Sequence, residues 1–165
     1  LSSFEDPNPV MFFEHKALYR SLSGPVPEEY YTTEIGKAAL IREGNQISII
    51  TYGMGVHWAL NFLNQNPDLK ADLLDLRTLL PFDEAAVYQS VRKTGKVIIL
   101  HEDTLTGGFG AEISARIAEH CFEYLDAPVV RSASLDSPVP FEAGLEKMFL
   151  ASARFNQQIS ELLKY

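Results

Sequence analysis

Residues 36–165 of this sequence predict an α/β domain of three layers, with a mostly parallel sheet sandwiched between helices. Two patterns lead there. Short apolar runs of strand length alternate with stretches whose hydrophobic residues recur at helical spacing, and glycine-bearing turns separate the two. Length agrees: 165 residues, 46% of them hydrophobic and 22% charged, suffice for one well-packed core and not for two.

The elements follow in order. Val10-Met11-Phe12-Phe13, reached through Asp6-Pro7-Asn8-Pro9, is a continuous apolar run and reads as a buried strand of a parallel sheet. No sheet of its own follows it, so residues 1–20 are expected to be the end of a preceding unit. Residues 21–35 read as a linker. Its prolines, in Ser23-Gly24-Pro25-Val26-Pro27, keep the residues before them out of the helical region. The start at Leu1-Ser2-Ser3 lacks methionine and any signal-peptide pattern, which leads to the expectation of a piece of a larger protein.

Lys37 to Arg42 is short enough for an edge strand, with a turn at Gly44-Asn45. Ile47 to Tyr52 is a strand, and Gly53-Met54-Gly55 turns it into a helix over Val56 to Asn66, where Val56, Ala59, Leu60 and Leu63 share a face. Ala71 to Leu76 is the next strand. Asp83 is placed to cap a helix running to Lys93. Lys96 to Glu102 is the most apolar strand, and Gly107-Gly108-Phe109-Gly110 opens a helix carrying Ile113, Ile117 and Cys121. A last strand spans Pro128 to Ser132, and helices near Glu142 to Leu150 and Phe155 to Leu163 end the sequence.

Charge and cysteine content exclude several function classes. A net charge of −8 and a pI near 4.9 argue against a nucleic-acid partner, because neutralising phosphates takes a basic face. No apolar run reaches membrane-spanning length. Cys121 is the single cysteine, so no internal disulfide can form.

Ligand sites of open α/β sheets gather beyond the carboxyl ends of the strands. Three predicted loops lie there: Tyr52 to Gly55, Asp75 to Thr78, and His101 to Gly108. The first begins like a dinucleotide fingerprint, but Trp58 stands where the third glycine belongs, so a tight turn is the expected role. The third gathers a histidine, two carboxylates and a glycine-rich helix start, features that could hold a small anion or orient a base. No nucleophile or metal-ligand spacing accompanies them, and His101 and Glu102 could instead pair across the sheet edge. Asp6 and Asn8 offer oxygen donors of the kind hard cations take, although Asp and Asn also simply shape turns.

Glu5-Asp6-Pro7-Asn8-Pro9-Val10-Met11-Phe12-Phe13-Glu14-His15-Lys16-Ala17-Leu18-Tyr19-Arg20 closely resembles the middle of the β subunits of 2-oxo acid dehydrogenases that use thiamine diphosphate. Similarity continues in order through Ile35-Gly36-Lys37-Ala38, Asp75-Leu76-Arg77-Thr78, Lys93-Thr94-Gly95, Thr106-Gly107-Gly108-Phe109 and Leu125-Asp126-Ala127-Pro128. The runs Glu14 to Arg20 and His101 to Phe109 are most similar to the branched-chain (2-oxoisovalerate) type, with the pyruvate type as the alternative.

The resemblance implies a transketolase C-terminal-like domain over 36–165, preceded over 1–20 by the tail of a pyrimidine-binding domain. It implies that the cofactor-activating glutamate and the catalytic histidine of such β chains lie upstream of Leu1. The diphosphate and Mg site would belong to the α subunit or an α-like half, so no catalytic or cofactor-binding residue is expected here. It further implies a structural potassium (K) ion bound by the Ser3 carbonyl and the Asp6 and Asn8 side chains. The remaining implied partners are a second β subunit in an α2β2 heterotetramer and the lipoyl acyltransferase core, docked through the Tyr165 carboxylate with Asp136 as companion. The compartment implied is bacterial cytoplasm or mitochondrial matrix. A non-catalytic module binding a small anion at His101 to Gly110 is the competing reading.

Overall fold

Four largely buried strands pair side by side in the computed structural model, which describes residues 1–165. They are β2 (Ile47–Thr51), β3 (Ala71–Asp75), β4 (Val97–Thr104) and β5 (Val130–Ser134), all mutually parallel. β1 (Ala39–Arg42) adds an antiparallel edge on β3, giving the order β1-β3-β2-β4-β5. The central strands are buried on both faces, which is why they read as unbroken apolar runs.

Helices cover both faces. On one, α3 (Met54–Gln65) and α7 (Ser152–Leu162) place Ala59, Phe62, Leu63, Phe155, Ile159 and Leu162 against Ile47, Ile49, Leu73, Ile98 and Leu100. On the other, α4 (Glu84–Thr94) and α5 (Gly110–Cys121) bring Val87, Val91, Ile113, Ile117 and Cys121 onto Ile50, Leu74, Val97 and Ile99. The short α6 (Ala143–Phe149) leads into α7. The predicted three-layer α/β domain with a mostly parallel sheet is therefore the observed one. Asp83 caps α4 as expected, its Oδ1 accepting from the Ala86 amide at 3.1 Å.

Boundaries moved in a patterned way. α3 begins two residues before the predicted Val56, because Gly53 at φ 56° turns the chain without delay. β5 is displaced two residues toward the carboxyl end, since Pro128 donates no ladder hydrogen bond and pairing begins beyond it.

One element is corrected. Val10-Met11-Phe12-Phe13 is not a buried strand: the segment has no regular structure, and Met11, Phe12 and Phe13 are 80%, 72% and 85% exposed. A parallel strand needs a neighbour with an open edge, and this run pairs with neither β1 nor β5. It lies between two single-turn helices, α1 (Ser2–Glu5) and α2 (Leu18–Ser21).

Candidate functional site

The strand order reverses between β2 and β4. α3 leaves β2 on one face of the sheet and α5 leaves β4 on the other, so a crevice opens beyond their carboxyl ends. Tyr52 and His101 meet there, with rings stacked 4° from parallel and centroids 6.1 Å apart. His101 is fully buried, and neither ring nitrogen has a hydrogen-bond partner.

Two glycines make that burial possible. A Cβ on Gly110 would lie 2.3 Å from His101 Nε2, and one on Gly108 would lie 2.6 Å from Cε1. The glycine-rich helix start thus serves to close the backbone over the imidazole. It leaves the ring nitrogens no open face toward a ligand, which removes the main support for a small-anion site at His101. Burial pushes the imidazole below its usual pKa of 6.5, opposed by the nearby Asp103 carboxylate and assisted by Arg131. Burial, with Asp103 again adding to it, pushes the Tyr52 phenol up to about 12. Both shifts favour the uncharged forms, so the crevice floor holds a neutral aromatic pair at neutral pH.

The neighbouring loop is built around Asp75. Its Oδ1 accepts from the Arg77 amide at 3.0 Å, a turn that holds Arg77 at φ 58°. Burial raises the Asp75 pKa, while the Arg77 bond and charge and the nearby His57 pull it down. In the first loop Gly55 sits directly over Thr51, whose buried Oγ1 lacks a partner. That close approach gives Gly55 a packing role, in keeping with the expected tight turn.

The third loop is strapped from three directions. Glu102 does not pair with His101. Its carboxylate takes His15 Nε2 at 2.9 Å, across 87 residues. Its carbonyl accepts from Ser134 Oγ at 2.6 Å, and the Leu105 carbonyl accepts from Arg131 Nη1 at 2.9 Å. Asp136 closes the far side, its two oxygens accepting from the Thr106 amide at 2.8 Å and hydroxyl at 2.7 Å. Those bonds hold the Asp136 carboxyl below its usual pKa.

The other sequence-predicted residues lie apart from this crevice. Tyr165 is exposed beyond the end of α7. Ser3 lies in α1, and Asp6 Oδ1 accepts from both the Asn8 amide at 2.8 Å and Asn8 Nδ2 at 3.0 Å. The Asp6–Asn8 pair forms a turn of the expected kind. A cation would need the Asn8 amide rotated so that its oxygen, and not its nitrogen, faces the carboxylate. The all-oxygen donor set otherwise suits a hard monovalent ion.

Sequence reasoning missed a second polar cluster at the opposite end of the sheet. Asp72, 1% exposed, accepts from Lys93 Nζ at 2.7 Å, Ser90 Oγ at 2.7 Å and the Gly44 amide at 2.8 Å. Ser48 joins Ser90 and Thr94 at 2.6 and 2.7 Å. Asp72, set between the apolar residues Ala71 and Leu73 of a predicted strand, was the available signal, because a buried carboxylate demands partners. No group of three or more His, Cys, Asp or Glu side chains is arranged to hold a metal.

Comparison with known proteins matches residues 36–154 to the family described as transketolase, C-terminal domain. The chain is 42% identical over 154 residues to the 2-oxoisovalerate dehydrogenase subunit beta of Bacillus subtilis (strain 168), covering 92% of this chain and 47% of that one. It is 40% identical over 165 residues to the pyruvate dehydrogenase E1 component subunit beta of Gracilaria tenuistipitata var. liui, covering 99% and 50%. The chain therefore spans about half the length of the curated relatives it matches. Among solved structures, a split-gene transketolase described as an inactive beta4 tetramer superposes with a TM-score of 0.67 at 26% identity, over 84% of this chain and 46% of that one.

Proposed function

The chain belongs to the transketolase C-terminal domain family, and from that premise we propose that it is the assembly and docking half of a 2-oxo acid dehydrogenase β subunit, of the branched-chain (2-oxoisovalerate) type. The observation that carries the assembly role is the exposed apolar surface on residues 1–20. Phe4, Met11, Phe12 and Phe13 are 72% to 93% exposed, and a contiguous apolar stretch of that kind marks a protein contact. In the whole enzyme the 2-oxo acid would be decarboxylated on thiamine diphosphate and the acyl group passed to lipoyl-lysine. The cofactor and its Mg would be held by residues outside this chain and by the α subunit. Bacterial cytoplasm or mitochondrial matrix is the matching compartment.

Both types of relative are similarly close, and the choice between them rests on the runs Glu14 to Arg20 and His101 to Phe109. Assay of the complete enzyme with a lipoyl acceptor discriminates. The expected kcat/KM for 2-oxoisovalerate exceeds that for pyruvate by about tenfold or more, the discrimination a pocket shaped for two extra methyl groups supplies. A reversed ratio assigns the pyruvate type, and turnover of neither substrate refutes the dehydrogenase reading.

Potassium is proposed at Ser3, Asp6 and Asn8, with Asn8 turned to present its oxygen. Replacing sodium by potassium should raise the melting temperature of the complete protein, and Asp6→Ala should abolish that difference. Docking to the acyltransferase core is proposed through the Tyr165 carboxylate, with Asp136, which straps the third loop, as companion. Deleting Tyr165 should weaken that complex, the more so at low salt; equal affinity with and without it would remove the role.

A further inference from the structure

Residues 1–35 and residues 36–165 are joined, apart from the peptide chain, by one hydrogen-bonded tie. His15 Nε2 stands 2.9 and 3.2 Å from the two carboxylate oxygens of Glu102. The other hydrogen bonds of the first segment stay within it, as Ser2 Oγ to the Thr33 carbonyl and Tyr30 to Glu5 illustrate. The pair is part-buried, with side chains 29% and 39% exposed, so water competes with it less than with a free surface pair.

Glu102 is itself held rigidly. Its backbone carbonyl is fixed by Ser134, and the loop beyond it is anchored by Arg131 at Leu105 and by Asp136 at Thr106. The backbone that carries the carboxylate is therefore fixed before His15 arrives, which lowers the entropy cost of forming the tie. His15 follows the exposed run Val10–Phe13 by two residues. Whatever fixes His15 also fixes where that run is presented.

We propose that the His15–Glu102 pair is a clasp that positions the segment carrying Val10–Phe13 on the carboxyl edge of the sheet, and that without it the segment swings free on the linker at 21–35. The purpose assigned to the clasp rests on the reading of that run as an assembly surface. The clasp itself is tested without any partner, so the two can fail separately.

Lys16 and Arg20, directly after His15, are trypsin sites inside the clasped segment, and Trp58 in α3 reports the sheet core. Glu102→Ala should raise the initial rate of cleavage at Lys16 and Arg20 roughly five-fold, as expected when one partly sheltered hydrogen-bonded contact no longer opposes local opening. The urea midpoint followed by Trp58 should stay unchanged. His15→Ala, whose side chain lies outside the sheet, should reproduce the effect and serves alone if Glu102→Ala unfolds the core. The double variant should be cut no faster than either single one. Cleavage at the wild-type rate in His15→Ala, or single effects that multiply in the double variant, would overturn the clasp.

Discussion

The two ends of the parallel sheet handle buried polar groups in opposite ways. At the amino end, Asp72 on β3 has three donors and Ser48 on β2 has two hydroxyl partners, so the buried cluster is fully connected through α4 and the β1–β2 turn. At the carboxyl end, Thr51 on β2, His101 on β4 and Ser132 on β5 are all buried with side-chain polar atoms unpartnered. The same strands supply both sets: Ser48 and Thr51 are three residues apart. A satisfied network locks its elements together, whereas unpartnered groups subtract stability that the surrounding packing must supply. The amino end is the part of the molecule that secures the fold. The carboxyl end is where Gly55, Gly108 and Gly110 close the backbone over the unpartnered side chains of Thr51 and His101, and where the loops are strapped from outside.

The largest expected effect breaks the amino end. Asp72→Ala takes the acceptor from the Ser90 hydroxyl and the Gly44 amide and leaves the half-exposed Lys93 ammonium with Glu43 alone, and should cost about 2–4 kcal/mol of unfolding free energy, since each unsatisfied donor costs about 1–3 kcal/mol. Urea unfolding followed by Trp58 measures it. A loss below about 1 kcal/mol would mean the cluster is no more important than a surface pair.

Next comes the carboxyl end. Gly110→Ala would drive a methyl to 2.3 Å from His101 Nε2 and should cost roughly 1–3 kcal/mol through overpacking. His101→Ala in the same background should recover much of that, because the ring is what the methyl strikes. Additive losses in the double variant would show that the glycine is needed for another reason.

How far the sequence disclosed these two ends follows from what each depends on. The sheet, the helix faces and the Asp83 cap were legible, because periodicity and capping are properties of neighbouring residues. The crevice was legible in position, since glycine turns after strands mark carboxyl ends. Its contents were not. The Tyr52–His101 stack joins two strands that pairing makes adjacent, and His15–Glu102 spans 87 residues. Val10–Phe13 misled for a related reason: apolar composition states that a segment needs covering, without saying whether its own chain does so.

A smaller pair of substitutions contrasts the ends within one strand. Ser48→Ala should lose about 1 kcal/mol, since it leaves Ser90 and Thr94 short of a partner. Thr51→Val replaces a hydroxyl that has no partner by a methyl of the same shape and should be neutral or stabilising in the same urea titration. Equal losses at the two positions would erase the distinction between the ends.

The smallest effect is a slope. His101 has a folded-state pKa below 6.5, so between that folded value and 6.5 the unfolded chain binds the proton more readily than the folded one. Its neutral burial therefore favours the native state fully above pH 6.5, and this advantage fades as pH falls from there through the folded pKa. At the alkaline side Tyr52 acts with the opposite sense: a phenol held near 12 favours the native state below pH 10, and that contribution is lost as pH rises through 12. Unfolding free energies measured from pH 7.5 to 5.5 should decline more steeply for the wild type than for His101→Gln, which keeps a polar side chain of related length and does not titrate. Parallel curves would show that the buried imidazole is not what senses the acid.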